Sequence, residues 1–113
     1  MKRLVIQIRK FSEILDKLIA QNKATKEDYE DLEKRLVENP NEGEVMQGTG
    51  GLRKTRLKSA SKGKSGGFRV CYCDVPEKEK LFFLAIFPKN EQENLTDEEK
   101  QIFKALVSRL RKE

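Results

Sequence analysis

The chain has 113 residues, of which 38% are charged and 36% hydrophobic, and it carries a formal net charge of +5 at pH 7. This length suits one domain over residues 1–113, and no apolar run approaches the ~20 residues that a membrane span requires. Histidine is absent, which removes the usual general base and most zinc sites. We therefore expect a cytoplasmic protein with no membrane association, no metal and no cofactor.

The first part of the chain predicts a strand and a helical hairpin. Arg3–Arg9 is rich in β-branched residues, which favours a short strand. Apolar residues then recur at helical spacing from Phe11 to Ile19. A second helix is expected to begin at Thr25, with Asp28 as a carboxylate variant of the capping box. The helix should end at residues 39–41, because the proline there cannot continue the helical hydrogen-bond ladder.

The remainder predicts three strands and a last helix. Strands are expected at 52–58, 68–75 and 81–87, and their short connections favour an antiparallel meander. The helix begins at Thr96, where Glu99 completes a capping box. Its expected inner face consists of Ile102, Phe103, Leu106, Val107 and Leu110. The fold class is α+β, a mainly antiparallel sheet with an N-terminal helical hairpin and a C-terminal helix packed on it. We expect the helices on one face and the basic residues on the other face and its rim.

Positive charge is concentrated in one stretch of the chain. The window between Glu44 and Asp74 has no acidic residue and a charge of +7, so the rest of the chain is at −2. Its basic residues are Arg53, Lys54, Arg56, Lys58, Lys62, Lys64 and Arg69. A near-neutral scaffold with one basic strip is typical of a nucleic-acid binder. A basic surface that is merely solvated gives the same pattern.

Two further motifs have ordinary interpretations. Cys71 and Cys73 point to the same face of their predicted strand, and we interpret them as small buried apolar residues. Residues 63–65 (GKS) resemble the end of a nucleotide-binding P-loop, but Lys58 stands where that motif needs a glycine. Neither motif predicts a cofactor.

Four cations are placed to meet in space. Lys54, Arg56 and Arg69 lie on adjacent predicted strands, and Lys89 follows the third strand. Because neighbouring strands are ~4.8 Å apart, these side chains could surround one phosphate. Attack of a 2′-hydroxyl on RNA adds negative charge to the phosphate oxygens, and fixed cations stabilise that charge most in the transition state. Mutual repulsion could also lower the pKa of a lysine and let it transfer protons.

Three sequence blocks resemble the RelE toxin superfamily, in particular its HigB branch and the phage-derived group within it. Residues 48–56 read GTGGLRKTR, residues 63–72 read GKSGGFRVCY and residues 87–91 read FPKNE. The resemblance covers about residues 25–110. It implies a RelE fold and a ribosome-dependent mRNA endonuclease that inhibits translation. The implied partners are mRNA on the ribosome, ribosomal RNA and a helix-turn-helix antitoxin.

The resemblance also implies roles for individual residues. The catalytic residues, which bind the mRNA phosphates, are Lys54, Arg56, Arg69 and Lys89. The residues expected to contact RNA are Arg53, Lys58, Lys62, Lys64, Tyr72 and Asn90. Alternatives stay open at three of these positions: a core position for Tyr72, a surface ion pair for Arg53 and a turn-capping role for Asn90. RelE has a late catalytic tyrosine, and no residue after Tyr72 can supply one, so the general base stays unassigned.

Two other functions fit the same residues. A non-catalytic RNA-binding module on the same fold would bind RNA in a salt-dependent way and would not cut it. A structural subunit would use the basic strip to dock an acidic protein, and it would not retain RNA at ~0.15 M salt. The RNA-cleaving toxin is the function that we favour on the sequence.

Overall fold

The computed structural model describes residues 2–60, 67–92 and 94–113, which form a mixed sheet of five strands with helices on both faces. In chain order the elements are β1 (Leu4–Gln7), α1 (Arg9–Ala20), α2 (Lys26–Glu38), β2 (Glu44–Val45), β3 (Arg53–Leu57), β4 (Phe68–Val75), β5 (Lys80–Pro88) and α3 (Asp97–Lys112). A short 3-10 turn, Pro76–Lys78, joins β4 to β5. Within these ranges, none of the helices is long and apolar enough to cross a membrane.

The predicted meander is confirmed, and two strands extend it. The strand order is β1-β5-β4-β3-β2, and the pairs β2–β3, β3–β4 and β4–β5 are antiparallel. β1 runs parallel to the first half of β5, from Leu4 opposite Lys80 to Gln7 opposite Phe83. The chain then turns into α1. In the described residues, therefore, the second half of β5 is paired with β4 on one side, and no strand continues β1 along its other side.

The helical hairpin covers one face of the sheet, as predicted. The buried side chains of α1 and α2 are Phe11, Leu15, Leu18, Tyr29, Leu32 and Leu36. They pack against Leu57, Val70 and Phe83 from the sheet. The Thr25 hydroxyl oxygen accepts a hydrogen bond from the Asp28 N–H at 3.0 Å, which caps α2 as predicted. Such caps typically stabilise a helix by about 1 kcal/mol.

α3 packs on the opposite face, so the expectation that all helices share one face is wrong. Its Val107 is buried in a core cluster with Cys71, Cys73 and Leu84. The physical reason is that β4 and β5 are apolar on both faces, and a sheet of this kind must be covered twice. The predicted capping box of Thr96 and Glu99 is present.

One position of the predicted inner face of α3 is wrong. Ile102 is 63% exposed, whereas Phe103, Leu106 and Leu110 pack against the core cluster. A helix on a sheet buries a narrower stripe than the apolar positions of its sequence define. Ile102 lies at the margin of that stripe.

Polar contacts at the far end of α3 fix its direction across the sheet. The Lys78 ammonium donates to the Leu110 carbonyl at 3.0 Å, and the Arg111 guanidinium donates to the Asp74 carbonyl at 3.4 Å. The Arg3 guanidinium donates two hydrogen bonds, of 2.6 and 3.2 Å, to the Asp74 carboxylate. With the C-terminal end held beside the end of β4, the N-terminal half of α3 lies toward the first residues of β4 and the last residues of β5. That part of the sheet carries the candidate site.

Candidate active site

The cations project from the face of the sheet that α3 covers in part. Arg56 lies directly opposite Arg69, and Lys54 lies directly opposite Cys71. Side chains directly opposite one another in an antiparallel pair share a face. Because Cys71 packs in the α3 core cluster, Lys54, Arg56 and Arg69 share that face. We call these three residues the cation patch.

Lys54 is held by weak, displaceable partners. Its side chain is 24% exposed, and its Nζ lies 3.9 Å from a carboxylate oxygen of the largely exposed Glu44. The same Nζ donates a long hydrogen bond of 3.4 Å to Oδ1 of Asn94, just before α3. Exposed ion pairs contribute about 0–1 kcal/mol. A phosphate could therefore take the place of these contacts at little cost.

The two arginines of the cation patch differ in their surroundings. Arg69 lies on the central strand β4 and is half-buried, whereas Arg56 on β3 is exposed. Arg56 also lines a cavity of about 100 Å³ with Asp28 and Asp31 of α2. Like charges directly across a strand pair destabilise the sheet. An anion bound between Arg56 and Arg69 would be contacted by two guanidinium groups from neighbouring strands.

Lys89 lies at the margin of the cation patch. Its main-chain N–H donates to the Gly67 carbonyl at 3.0 Å, which keeps the chain after β5 beside the start of β4. Gly67 has φ +77°, and a Cβ there would collide with the Leu57 carbonyl. The glycine thus lets the ends of β3, β4 and β5 approach one another, which brings Lys89 near Arg69.

Arg53 and Tyr72 lie on the opposite face from the cation patch. They face each other across β3 and β4, and Tyr72 is fully buried. The Tyr72 hydroxyl donates to the Pro40 carbonyl and accepts from the Gly43 N–H, both at 2.8 Å. Arg53 donates to the Gly43 carbonyl at 2.6 Å. Both side chains anchor the loop that follows α2.

These contacts correct two expectations. Tyr72 cannot stack on a base, because its ring is enclosed in the core; the core alternative is the one that the structure shows. Burial also raises the pKa of Tyr72, so its hydroxyl is not a general base near neutral pH. For Arg53 the alternative was a surface ion pair. The structure instead shows that Arg53 donates hydrogen bonds to main-chain carbonyls.

Of the other predicted RNA contacts, the structure describes Lys58 and Asn90. Lys58 is exposed just after β3. Asn90 lies in a turn after β5, in which the N–H groups of Glu91 and Gln92 donate to the Pro88 carbonyl at 3.2 Å. It borders a cavity on the side of the helical hairpin. Lys62 and Lys64 fall outside the described residues.

The glycine-rich start of the first block, residues 48–51, forms a tight turn rather than a site. Thr49 is fully buried; its hydroxyl donates to the Met46 carbonyl at 2.6 Å and accepts from the Leu52 N–H at 3.1 Å. Gly51 has φ +113°, and the Arg111 guanidinium occupies the place where a Cβ would point. The turn connects β2 to β3 and thereby sets where Lys54 begins to project.

The structure adds Asn94, which the sequence reasoning missed. It contacts Lys54 and lies two residues before the helix cap Thr96. The capping box was a usable signal, because it located the start of α3. It did not show that this start lies beside β3.

Both cysteines are free and buried, as predicted. Burial raises the pKa of Cys71 to about 12, so its thiol is neutral and neither a nucleophile nor a proton carrier at neutral pH. The described part of the chain contains no group of three or more histidine, cysteine or carboxylate side chains that could hold a metal ion.

Comparison with known proteins identifies the class. Residues 16–113 match the family model described as the RelE toxin of the RelE / RelB toxin-antitoxin system. That match spans most of the chain, which therefore belongs to the RelE toxin family and is a toxin of a toxin–antitoxin system.

A solved structure gives a particular relative. The toxin RelE of E. coli, a mutant determined in the free state, matches with a TM-score of 0.59 and 21% sequence identity. The match covers 90% of this chain and 96% of that chain. It confirms the predicted RelE-like α+β fold.

Proposed function

We propose that this toxin is an endoribonuclease that cleaves mRNA on the ribosome and so inhibits translation. The observation that carries the proposal is the direct pairing of Arg56 with Arg69, with Lys54 on the same face of the sheet. Lys89 completes the site at its margin. Membership of the RelE family supports a toxin role, and the three sequence blocks support the HigB branch in particular.

The geometry suits a transition state in which charge builds up on phosphorus oxygens. The 2′-hydroxyl loses its proton to solvent water as its oxygen bonds to phosphorus, the bond from phosphorus to the 5′-oxygen breaks, and negative charge grows on the equatorial oxygens between the two events. The guanidinium groups of Arg56 and Arg69 bind those oxygens. One well-placed donor can lower such a barrier by ~3 kcal/mol.

Lys54 has a second role in this proposal. A lysine ammonium can give up a proton, which an arginine guanidinium does not. Lys54 therefore donates a proton to the departing 5′-oxygen and stabilises the leaving group. Its long contacts with Asn94 and Glu44 leave it able to turn toward the substrate.

The partners follow from the same proposal. Messenger RNA in the ribosome is the substrate, and ribosomal RNA provides the surrounding surface. The exposed Lys58 is available for that second contact. A helix-turn-helix antitoxin neutralises the toxin, and the cytoplasm is where all three partners meet.

Expression of Lys54→Ala in growing cells tests the proposal. We expect the wild type to arrest growth and to produce discrete new 5′ ends within translated reading frames, as detected by primer extension. Lys54→Ala should lose both effects, whereas Lys34→Ala, an exposed lysine of α2, should retain them.

Two results would count against ribosome-dependent cleavage. One is a soluble, folded Lys54→Ala variant that cleaves as well as the wild type. The other is full cleavage of free RNA by the wild type without ribosomes. Salt-dependent RNA binding with no cleavage products would instead indicate the non-catalytic RNA-binding module.

A further inference from the structure

An apolar groove opens at the edge of the sheet, between α1 and α3. It encloses about 430 Å³, and its floor is the second half of β5, including Ala85 and Phe87. Ile14 lines the α1 side and Phe103 the α3 side. The groove exists because the pairing of β1 with β5 stops at Phe83. Its volume lies in the range of small-molecule sites, roughly 300–1,000 Å³.

The floor of the groove is continuous with the cation patch. Phe87 is the direct cross-strand partner of Arg69, and Ala85 is the partner of Cys71, which pairs in turn with Lys54. Cβ atoms of directly opposed residues lie about 4.5–5.5 Å apart. A phosphate held by Arg69 would therefore have an aromatic ring beside it, at about the distance that separates a nucleotide's phosphate from its base.

Two polar side chains lie at one end of the groove, Gln92 and Glu99. Gln92 Nε2 donates to Glu99 Oε1 at 2.6 Å, and the Thr96 N–H donates to the same oxygen at 2.9 Å. The contacts made within the described residues thus leave Glu99 Oε2 and Gln92 Oε1 as acceptors. The Thr96 N–H holds the pKa of Glu99 below its ordinary value, so the carboxylate is ionised at neutral pH.

We propose that this groove binds a nucleobase adjoining the scissile phosphate, with Phe87 against its face and Glu99 and Gln92 at its edge. The inference rests on the proposed function and deepens it by naming the base site. Acceptors at the edge favour bases with an exocyclic amino group, which are adenine, cytosine and guanine. Uracil presents carbonyl oxygens on both sides of its single N–H, and the Glu99 carboxylate would repel them.

The test separates base binding from phosphate binding and from cleavage. The probes are non-cleavable 2′-O-methyl trinucleotides: three adenines, three uracils, and a third that lacks its central base. Binding to the purified toxin is measured by NMR titration at fixed salt. We expect the adenine probe to bind about tenfold more tightly than the abasic probe, since one base on one aromatic ring typically contributes about 5- to 150-fold. The uracil probe should resemble the abasic one.

Ala85→Phe fills the groove and removes no cation. It should abolish the preference for the adenine probe and leave binding of the abasic probe unchanged. Ala20→Phe makes the same substitution at an exposed position of α1 and should behave as the wild type. Phe87→Leu keeps an apolar side chain but removes the ring, so it tests the proposal if Ala85→Phe fails to fold. We expect Phe87→Leu to lose at least fivefold of the preference.

Two outcomes would overturn the base site. One is equal binding of the adenine and abasic probes by the wild type. The other is a folded Ala85→Phe or Phe87→Leu variant that still prefers the adenine probe over the abasic one. If such a variant has lost only its binding of the antitoxin, the groove serves a protein partner instead of a base. The proposed function fails on a different result, which is retained mRNA cleavage in Lys54→Ala.

Discussion

Arg53 and Lys54 are adjacent in β3 but have different roles, because successive side chains of a strand point to opposite faces of the sheet. Arg53 points toward the helical hairpin and holds the loop after α2 through main-chain carbonyls. Lys54 points to the other face and lies in the cation patch. Composition treats both as equal members of a basic strip. Period-two geometry separates them, and only the strand register shows which is which.

Removal of the Tyr72 hydroxyl should affect stability rather than RNA binding. In Tyr72→Phe the Gly43 N–H and the Pro40 carbonyl lose their partner inside the protein. A buried polar group left unpaired costs about 1–3 kcal/mol. We expect urea denaturation to show a decrease of that size in the free energy of unfolding. Val37→Ala, at a half-buried position of α2, is a control for general loss of packing. A stable Tyr72→Phe variant that no longer binds RNA would contradict the anchoring role.

Neither cysteine thiol should react with a thiol reagent in the native protein. Cys71 is buried, and its pKa of about 12 leaves almost no thiolate at pH 8. We expect a thiol-specific chromogenic reagent to react with neither cysteine in buffer and with both after unfolding in guanidinium. Rapid reaction of native protein, assigned to Cys71 by peptide mapping, would show that the face under α3 opens readily.

At the scale of elements, the helix caps and the meander were predictable because their signals are local. A threonine followed three residues later by a carboxylate marks a helix start, and apolar residues between short turns mark neighbouring strands. The local sequence of α3 does not specify the face of the sheet on which this helix packs. The pattern of α3 shows which side of the helix is buried, but not which side of the sheet receives it. The nearly continuous apolar run of β5 was the available clue, because a strand buried on both faces needs two covers.

β2 could not be predicted at all. It consists of Glu44 and Val45 alone, and it forms because the Thr49 turn brings it beside β3. Gly43 directly precedes it and Pro40 lies four residues before Glu44, and both residue types indicate loops. Tertiary pairing decides such a strand, and single-sequence patterns carry no signal for it.

The α3 cap should give stability a dependence on acid pH. The Thr96 N–H lowers the pKa of Glu99 from its ordinary value of 4.5. A carboxyl with a lowered pKa in the folded state stabilises the protein fully above the unfolded value, and this contribution is lost as pH falls through the folded value. Glu99→Gln should therefore flatten the loss of stability below pH 4.5, and Thr96→Ala should cost about 1 kcal/mol at pH 7.

Thermal unfolding followed by circular dichroism between pH 7 and pH 3 measures both effects. Glu98→Gln is a suitable control, because Glu98 lies in the same turn and is exposed. A melting temperature of Glu99→Gln that falls as steeply in acid as that of the wild type would mean that this carboxylate is not held by the cap.

At the scale of the whole molecule, the fold brings part of the basic stretch of the sequence together on one face of the sheet. Four of the seven basic residues between Glu44 and Asp74 lie on β3 and β4, and the register of these strands gathers three of them into the cation patch. The same register removes Arg53 and Tyr72 from that patch. The family match over residues 16–113 shows that the chain carrying this patch is a RelE-family toxin. The fold shared with E. coli RelE agrees with that membership.

Single-turnover cleavage of mRNA on programmed ribosomes tests the central claim most directly. Purified wild type, Arg69→Gln and the control Lys34→Gln would be mixed with ribosomes that hold a defined message in the decoding site. Loss of one phosphate-binding donor should slow cleavage by about 100- to 1,000-fold in Arg69→Gln, whereas Lys34→Gln should match the wild type. A folded Arg69→Gln variant that cleaves at the wild-type rate would contradict the account.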